Sequence, residues 1–168
     1  GSLNSSLRNT QQITYTSFNK ISTISEGNYE AEFHYGADQQ RRKYILTDHT
    51  SGWITKEVTY VGMYEKEGVG YPRHIHYIPA GDGIAAVMIE QNGVETMYYI
   101  HTDHLGSIHT LTDADGAFVE EYSFDAWGRR RNPTYWNYNV SAANYILSRG
   151  FTGHEHMDEF GIINMNGR

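Results

Sequence analysis

Nine histidines and twenty Asp and Glu residues spread donor atoms along the chain that could ligate a metal or pass protons. His101 and His104 flank Asp103, and His154 and His156 flank Glu155, all donor types that suit a transition metal. In an extended strand His154 and His156 share a face, as do His74 and His76. The patterns that bind zinc tightly are absent from the sequence. There is no HExxH, and with no cysteine there is no thiolate site, disulfide or thiol nucleophile. Asp113, Asp115 and Gly116 resemble the start of a calcium loop, but no third ligand or closing glutamate follows at the required spacing. Ser107 lies between Gly106 and Ile108, outside the GxSxG setting of a nucleophile elbow. Asp103 and His104 suit a different task, bracing the turn before Leu105 and Gly106 through side-chain bonds to backbone amides. The expectation is a chain without catalytic residues, metal or cofactor.

The elements that must hold these residues read as strands. Residues 98 to 131 form the organising stretch, two aromatic strands closed by glycine-bearing turns. Asp115 and Gly116, between Leu111-Thr112 and Phe118-Val119, predict a two-residue hairpin loop with both central residues at positive φ. Strict alternation puts Tyr29, Ala31, Phe33 and Tyr35 on one side and Glu30, Glu32 and His34 on the other, a half-buried strand. Runs at 13–15, leading through 17–20 to 21–25, and at 41–47 read as further strands, as does one continuous run at 53–64. Residues 74–78 form another, stopped by Pro79. The apolar run 84–89 is short, and the Asn92-Gly93 hairpin signal follows it, so a strand is expected there with 95–101 as its partner. Beyond Arg131 the rhythm breaks at Asn132-Pro133. Residues 134–138 read as an aromatic loop, 141–147 as a short helix, 150–161 as holding one helical turn, and 162–165 as extended.

Composition limits the function classes. A chain of 168 residues is one domain or a piece of a larger repetitive one. Fourteen tyrosines against six phenylalanines demand many rings with a bonded or wet hydroxyl, which suits sheets better than a dry helical bundle. A net charge of -7 argues against general affinity for nucleic acid or anionic membranes. Arg129, Arg130 and Arg131 have Glu120, Glu121 and Asp125 close by, and are expected to be solvated or internally paired. No apolar run approaches a membrane span and no signal peptide opens the chain, although a fragment says nothing of its parent's destination.

Three segments align under one another: 15–20, 35–41 and 124–129. Each has an aromatic (Tyr15, Tyr35, Phe124), a small or polar pair, a turn residue and then a base. The first two lie twenty residues apart, a period of repeat architectures whose units cannot bury their own apolar face. Phe124-Asp125-Ala126-Trp127-Gly128-Arg129 resembles the tyrosine-aspartate (YD) repeat of the Rhs family, with Phe124 where tyrosine is usual. His101-Thr102-Asp103-His104-Leu105-Gly106-Ser107 resembles another segment of that family. Residues 150–155 through 166–168 are similar to the start of its C-terminal core. Members include bacterial Rhs proteins, shell components of insecticidal toxin complexes and animal teneurins.

The resemblance implies an all-β fold, an antiparallel, twisted or spiralling sheet of YD-type hairpin repeats with a small irregular C-terminal cap. It divides the chain into a disordered or tag-derived segment (1–12), hairpin repeats (13–131) and the truncated start of the core-like cap (132–168). It implies a structural, non-enzymatic function: part of a shell that encloses or presents a C-terminal toxin or surface module, in a parent that is exported, secreted or held at the cell surface. The partners are the rest of that shell and its toxin, and a second copy could pair through exposed sheet edges. Two alternatives stay open. One is a carbohydrate-binding module using exposed aromatic rings. The other is part of a self-cleaving aspartyl core that lacks its catalytic segment, with Asp158 and Glu159 capping or pairing locally. The structural bets are Tyr15, Phe33, Tyr35, Tyr99, Tyr122, Phe124 and Trp127 for packing and Gly106, Gly116 and Gly128 for turns. His101, Asp103, His104, Asp125 and Arg129 complete the motifs.

Overall fold

Period-two alternation over 29–35 buries Ala31 and Phe33, leaves Glu30 and Glu32 half-buried and exposes His34. The same logic repeats along the chain. In a computed structural model that describes residues 10–81, 83–141 and 145–165, eleven strands lie in one open antiparallel sheet in chain order. They are β1 (Gln12–Tyr15), β2 (Ile21–Glu26), β3 (Tyr29–Tyr35), β4 (Arg41–Asp48), β5 (Trp53–Val61), β6 (Tyr64–Glu67), β7 (Arg73–Ala80), β8 (Gly83–Gln91), β9 (Val94–Thr102), β10 (Ile108–Thr112) and β11 (Phe118–Glu121). A small pair follows, β12 (Glu155–Met157) with β13 (Ile162–Asn164). Among the described residues there is no α-helix. The all-β expectation is met. The chain divides into two compact units, Gly1–Ile75 and His76–Arg168.

In the first unit, buried residues line up across neighbouring strands. Ile24 faces Ala31, which faces Leu46, and Phe33 faces Tyr44, which faces Val58. Such cross-strand pairs are the unit of sheet stability, and the Phe33 and Tyr44 rings meet with centroids 5.4 Å apart. Polar groups join the row at its far end, where Glu67 pairs across from Val58. The Glu67 carboxylate lies 3.2 Å from the Lys56 ammonium and 2.5 Å from the Arg73 guanidinium. Burial pushes its pKa up, but the charges and hydrogen bonds of Lys56 and Arg73 together outweigh burial and hold it below the usual range.

In the second unit, Ile100 faces Leu111 and both are buried, with Val87, Ile89 and Ile108 nearby in the same sheet. Residues 84–89 are strand, and Asn92 and Gly93 take φ of 54° and 76° in the two-residue loop expected of them.

Several local expectations are corrected. The run 53–64 is two strands folded back at Gly62 and Met63, where Gly62 at φ 60° is the only punctuation. Pro79 does not stop its strand, because β7 continues to Ala80 with its last three residues exposed, where a missing N–H costs little. Of the helix expected over 141–147, residues 142–144 lie outside the described residues, and 145–147 are not helical. The single turn expected in 150–161 is two short 3-10 segments, Phe151–Gly153 and Asp158–Phe160. Residues 1–9, part of the expected disordered segment, and 166–168, the end of the core-like motif, also lie outside the described residues.

Candidate functional site

One five-residue loop recurs six times among the described residues. The amide of its first residue donates to the carbonyl of its fifth, and the amide of its fourth donates back to the carbonyl of its first. These loops span 16–20, 36–40, 103–107, 113–117, 125–129 and 150–154, with bonds of 2.7–3.1 Å. The fourth residue always has positive φ: Asn19 61°, Gln39 58°, Gly106 81°, Gly116 79°, Gly128 83° and Gly153 70°. In five of the loops it is the one left-handed residue, the pattern of a type I turn closed by a left-handed residue, which suits the right-handed twist of a hairpin, whereas in 150–154 Thr152 also takes positive φ, 49°. The three segments aligned in the sequence each carry this loop just after their aromatic residue. The other three copies were missed as repeats. Their signal is present in Asp103-x-x-Gly106 and Asp113-x-x-Gly116, which match Asp125-x-x-Gly128.

The Asp at the head of three loops explains the spacing. Its carboxylate accepts the amides of the third and fifth residues: Leu105 at 2.9 Å and Ser107 at 2.8 Å for Asp103, Asp115 at 3.0 Å and Ala117 at 2.8 Å for Asp113, and Trp127 at 2.8 Å and Arg129 at 2.9 Å for Asp125. Burial raises the pKa of Asp103 and Asp125, but these amide bonds, with smaller help from neighbouring groups, outweigh it and hold both below the usual range. The expected two-residue loop at Asp115-Gly116 is thereby corrected. Only Gly116 takes positive φ, because Asp113 fixes a longer loop. Asp103→Ala is expected to destabilise the second unit by about 1 kcal/mol, the usual cost of losing a side chain that satisfies backbone amides. Urea denaturation of the two proteins measures it.

The aromatic bets divide. Tyr35 donates its hydroxyl to the Ile21 carbonyl at 2.7 Å and meets Phe18 edge-on, Phe33 is core, and Tyr122 is buried against Tyr145 with centroids 5.0 Å apart. Phe124 packs on Phe151 and His156. Tyr15 (62% exposed), Tyr99 (47%) and Trp127 (89%) are exposed and lie outside the buried core. Tyr15 belongs to β1, the edge strand, all four of whose residues are exposed. Tyr99 faces away from the Ile100–Leu111 row, and Trp127 sits at the tip of its loop.

The candidate metal donors are engaged separately. His101 Nε2 meets Thr112 Oγ1 at 3.1 Å, His74 Nδ1 meets the Tyr64 hydroxyl at 2.7 Å, and His154 Nδ1 meets Thr152 Oγ1 at 2.8 Å. His104 is exposed in its loop, whose bracing bonds come from Asp103. No three His, Cys, Asp or Glu residues converge among the described residues.

An enclosed polar centre lies around Arg130, a residue that sequence reasoning did not single out from its neighbours. Arg130 is 4% exposed, while Arg129 and Arg131 stack over Tyr138 at 3.9 Å and Trp136 at 4.2 Å. The Arg130 guanidinium lies over the rings of Tyr145 (4.4 Å), Tyr122 (5.6 Å) and Phe124 (5.7 Å). It donates to the Ser148 carbonyl at 2.9 Å, and its Nε lies 3.5 Å from Asp158, so Asp158 pairs locally as expected. The Tyr122 hydroxyl donates to the Glu120 carboxylate and accepts the Leu147 amide at 3.1 Å. Burial, and then Glu120, raise this phenol's pKa far above its usual value. His156 is held at about 3, chiefly by burial and secondarily by Arg130. The arrangement sets one cation, Arg130, and a neutral imidazole, His156, among aromatic rings with the Asp158 carboxylate beside them, which is suited to holding chain segments together.

No family profile matches the chain, and no curated protein sequence does. Among solved structures it superposes on a crystal structure of TcdB2-TccC3 with a TM-score of 0.71 at 16% identity, over 91% of this chain. The chain shares their fold. A TcdB2-TccC3-Cdc42 crystal structure gives a TM-score of 0.71 at 15% identity, and a Photorhabdus luminescens Tc holotoxin pore mutated in TccC3 gives 0.70 at 16%. Each of these also aligns over 91% of this chain, which spans only 8% of the length of each of the three chains. The Tc toxin complexes are thus its structural neighbours. No helix among its described residues is long and apolar enough to cross a membrane.

Proposed function

We propose that this chain is a segment of the wall of an Rhs-type YD-repeat shell, supplying consecutive hairpins to a sheet that encloses or presents a C-terminal toxin or surface module. The observation that carries the reading is the same hydrogen-bonded five-residue loop used six times among the described residues in a fold shared with Tc toxin complexes. In this reading the chain is structural and performs no catalysis. Its parent is exported, and its partners are the rest of the shell and the enclosed module. β1 is the outermost strand of the sheet among the described residues, a position that supports pairing with a further strand. In the intact parent, the C-terminal module should resist a protease that rapidly digests the same module in isolation. Equal digestion rates would contradict enclosure.

A second reading, a carbohydrate-binding surface, draws on the exposed rings of Trp127, Tyr135, Trp136 and Tyr138, with Tyr138 donating its hydroxyl to Asp125 at 3.0 Å. Binding on a glycan array that is lost in Trp127→Ala supports it, and an array without hits removes it.

A further inference from the structure

Residues 145–160 are fastened to β10, β11 and the loops beside them by bonds between distant parts of the sequence. The Ile146 amide donates to Glu120 at 3.0 Å, the Leu147 amide to Tyr122, Arg130 to the Ser148 carbonyl, the Ile108 amide to the Gly150 carbonyl at 3.0 Å, and the Thr152 amide to Ser107 Oγ at 3.1 Å. His156 sits within this closure, 5% exposed. Its Nε2 accepts the Phe151 amide at 3.0 Å, and Phe124 stacks on its ring with centroids 5.3 Å apart. The fit is close enough that a Cβ on Gly150 would lie 2.9 Å from that nitrogen and 2.6 Å from Phe124. An imidazole that accepts an amide at Nε2 is neutral, because the imidazolium has two donors and no acceptor.

We infer that His156 is an acid-sensitive latch: neutral, it holds residues 145–160 closed over the β10–β11 hairpin, and its protonation releases them. The proton would turn the acceptor facing the Phe151 amide into a donor, so two N–H groups would oppose each other in a buried site. It would also place a second cation beside Arg130. The acid near both is Asp158, 3.9 Å from His156 Nδ1 and 3.5 Å from Arg130 Nε. Further charged groups on the fastened elements include Glu120 under Ile146, Glu121 on β11, Glu159 beside Asp158, and Arg149 with Glu155, which form an isolated β-bridge. His154 is held by Thr152, and His109 lies 3.9 Å from Glu121.

The sign follows from the direction of the shift. The folded value, about 3, lies below the ordinary imidazole value of 6.5. The closed state is therefore fully favoured above the ordinary value and loses stability as pH falls from it toward the folded value. Each pH unit in that window weakens closure by roughly tenfold. Free carboxylates titrate at about pH 4, so the interval from about pH 6.5 to about pH 4.5 separates imidazoles from carboxylates, and His156→Gln separates His156 from the other histidines.

Hydrogen exchange read by mass spectrometry on the intact chain, corrected for the intrinsic pH dependence of exchange, tests this. Protection of amides in 145–160 should fall by up to about 100-fold across that interval, while β2 to β5 keep theirs. His156→Gln, whose Oε1 can still accept the Phe151 amide, should remove the response. Unchanged protection, or the same fall in His156→Gln, overturns the latch. Should that variant fail to fold, an NMR titration of the native chain decides. A His156 ring that charges at its ordinary value while the segment stays closed refutes the inference. One that charges only as the segment opens supports it.

Discussion

Gly128→Ala should destabilise the second unit by about 3 kcal/mol, against about 1 kcal/mol for Gly116→Ala at the equivalent place in another loop. Both glycines take left-handed φ, 83° and 79°, and share the cost of putting a Cβ there. They differ in what surrounds them. A Cβ at Gly116 meets nothing within 4 Å, whereas one at Gly128 would lie 2.5 Å from Ile163 Cδ1 and 2.7 Å from the Phe151 ring. The second cost is overpacking, because β13 and the 150–154 loop are seated directly on the 125–129 loop. Urea midpoints with unchanged slopes would separate the two terms. Equal losses would mean that the C-terminal residues are not packed there.

Replacing Arg130 with methionine should cost about 3 kcal/mol, the lower part of the range for breaking a buried pair. The lower part applies because Asp158, left behind, still has 30% of its side chain in water. Most of the loss comes from the cap. The Ser148 carbonyl loses its charged donor and the three rings around the guanidinium lose their cation. Arg130→Lys should recover less than half of this, since an ammonium cannot reproduce the planar fork between Ser148 and Asp158. Thermal unfolding followed by circular dichroism, with exchange protection of 145–160 as a local readout, checks both variants. A methionine protein as stable as the native one would show that the guanidinium is a passenger in an apolar site.

What could be read from the sequence and what could not differ in range. The alternation at 29–35, the Asn92-Gly93 loop and the bracing of the 103–107 turn by Asp103 are written within a few residues, so backbone stereochemistry alone makes them legible. The length of the 113–117 loop was not, because Asp115-Gly116 is also a two-residue loop signal. The boundary at Gly62 was lost because a single glycine in a β-branched run is weak punctuation. Alternation also could not show which aromatic faces would be covered. Tyr122 and Tyr99 are alike in the sequence, and only tertiary packing buries the first and leaves the second in water. The closure around Arg130 and His156 was invisible for a related reason. Its bonds join residues separated by 18, 25, 26 and 45 positions, and a run of three arginines beside acids reads as solvated or internally paired, without showing which arginine is buried or with which distant partner.

The central claim is that hairpins too small to fold alone gain stability side by side and form part of an enclosing wall. Electron cryomicroscopy of the parent protein tests it most directly. The account predicts a hollow particle in which residues 12–121 run as consecutive strands of the wall, with β1 hydrogen-bonded along its free edge to a further strand. A separate, closed module standing apart from any cavity, with β1 still exposed, would contradict it.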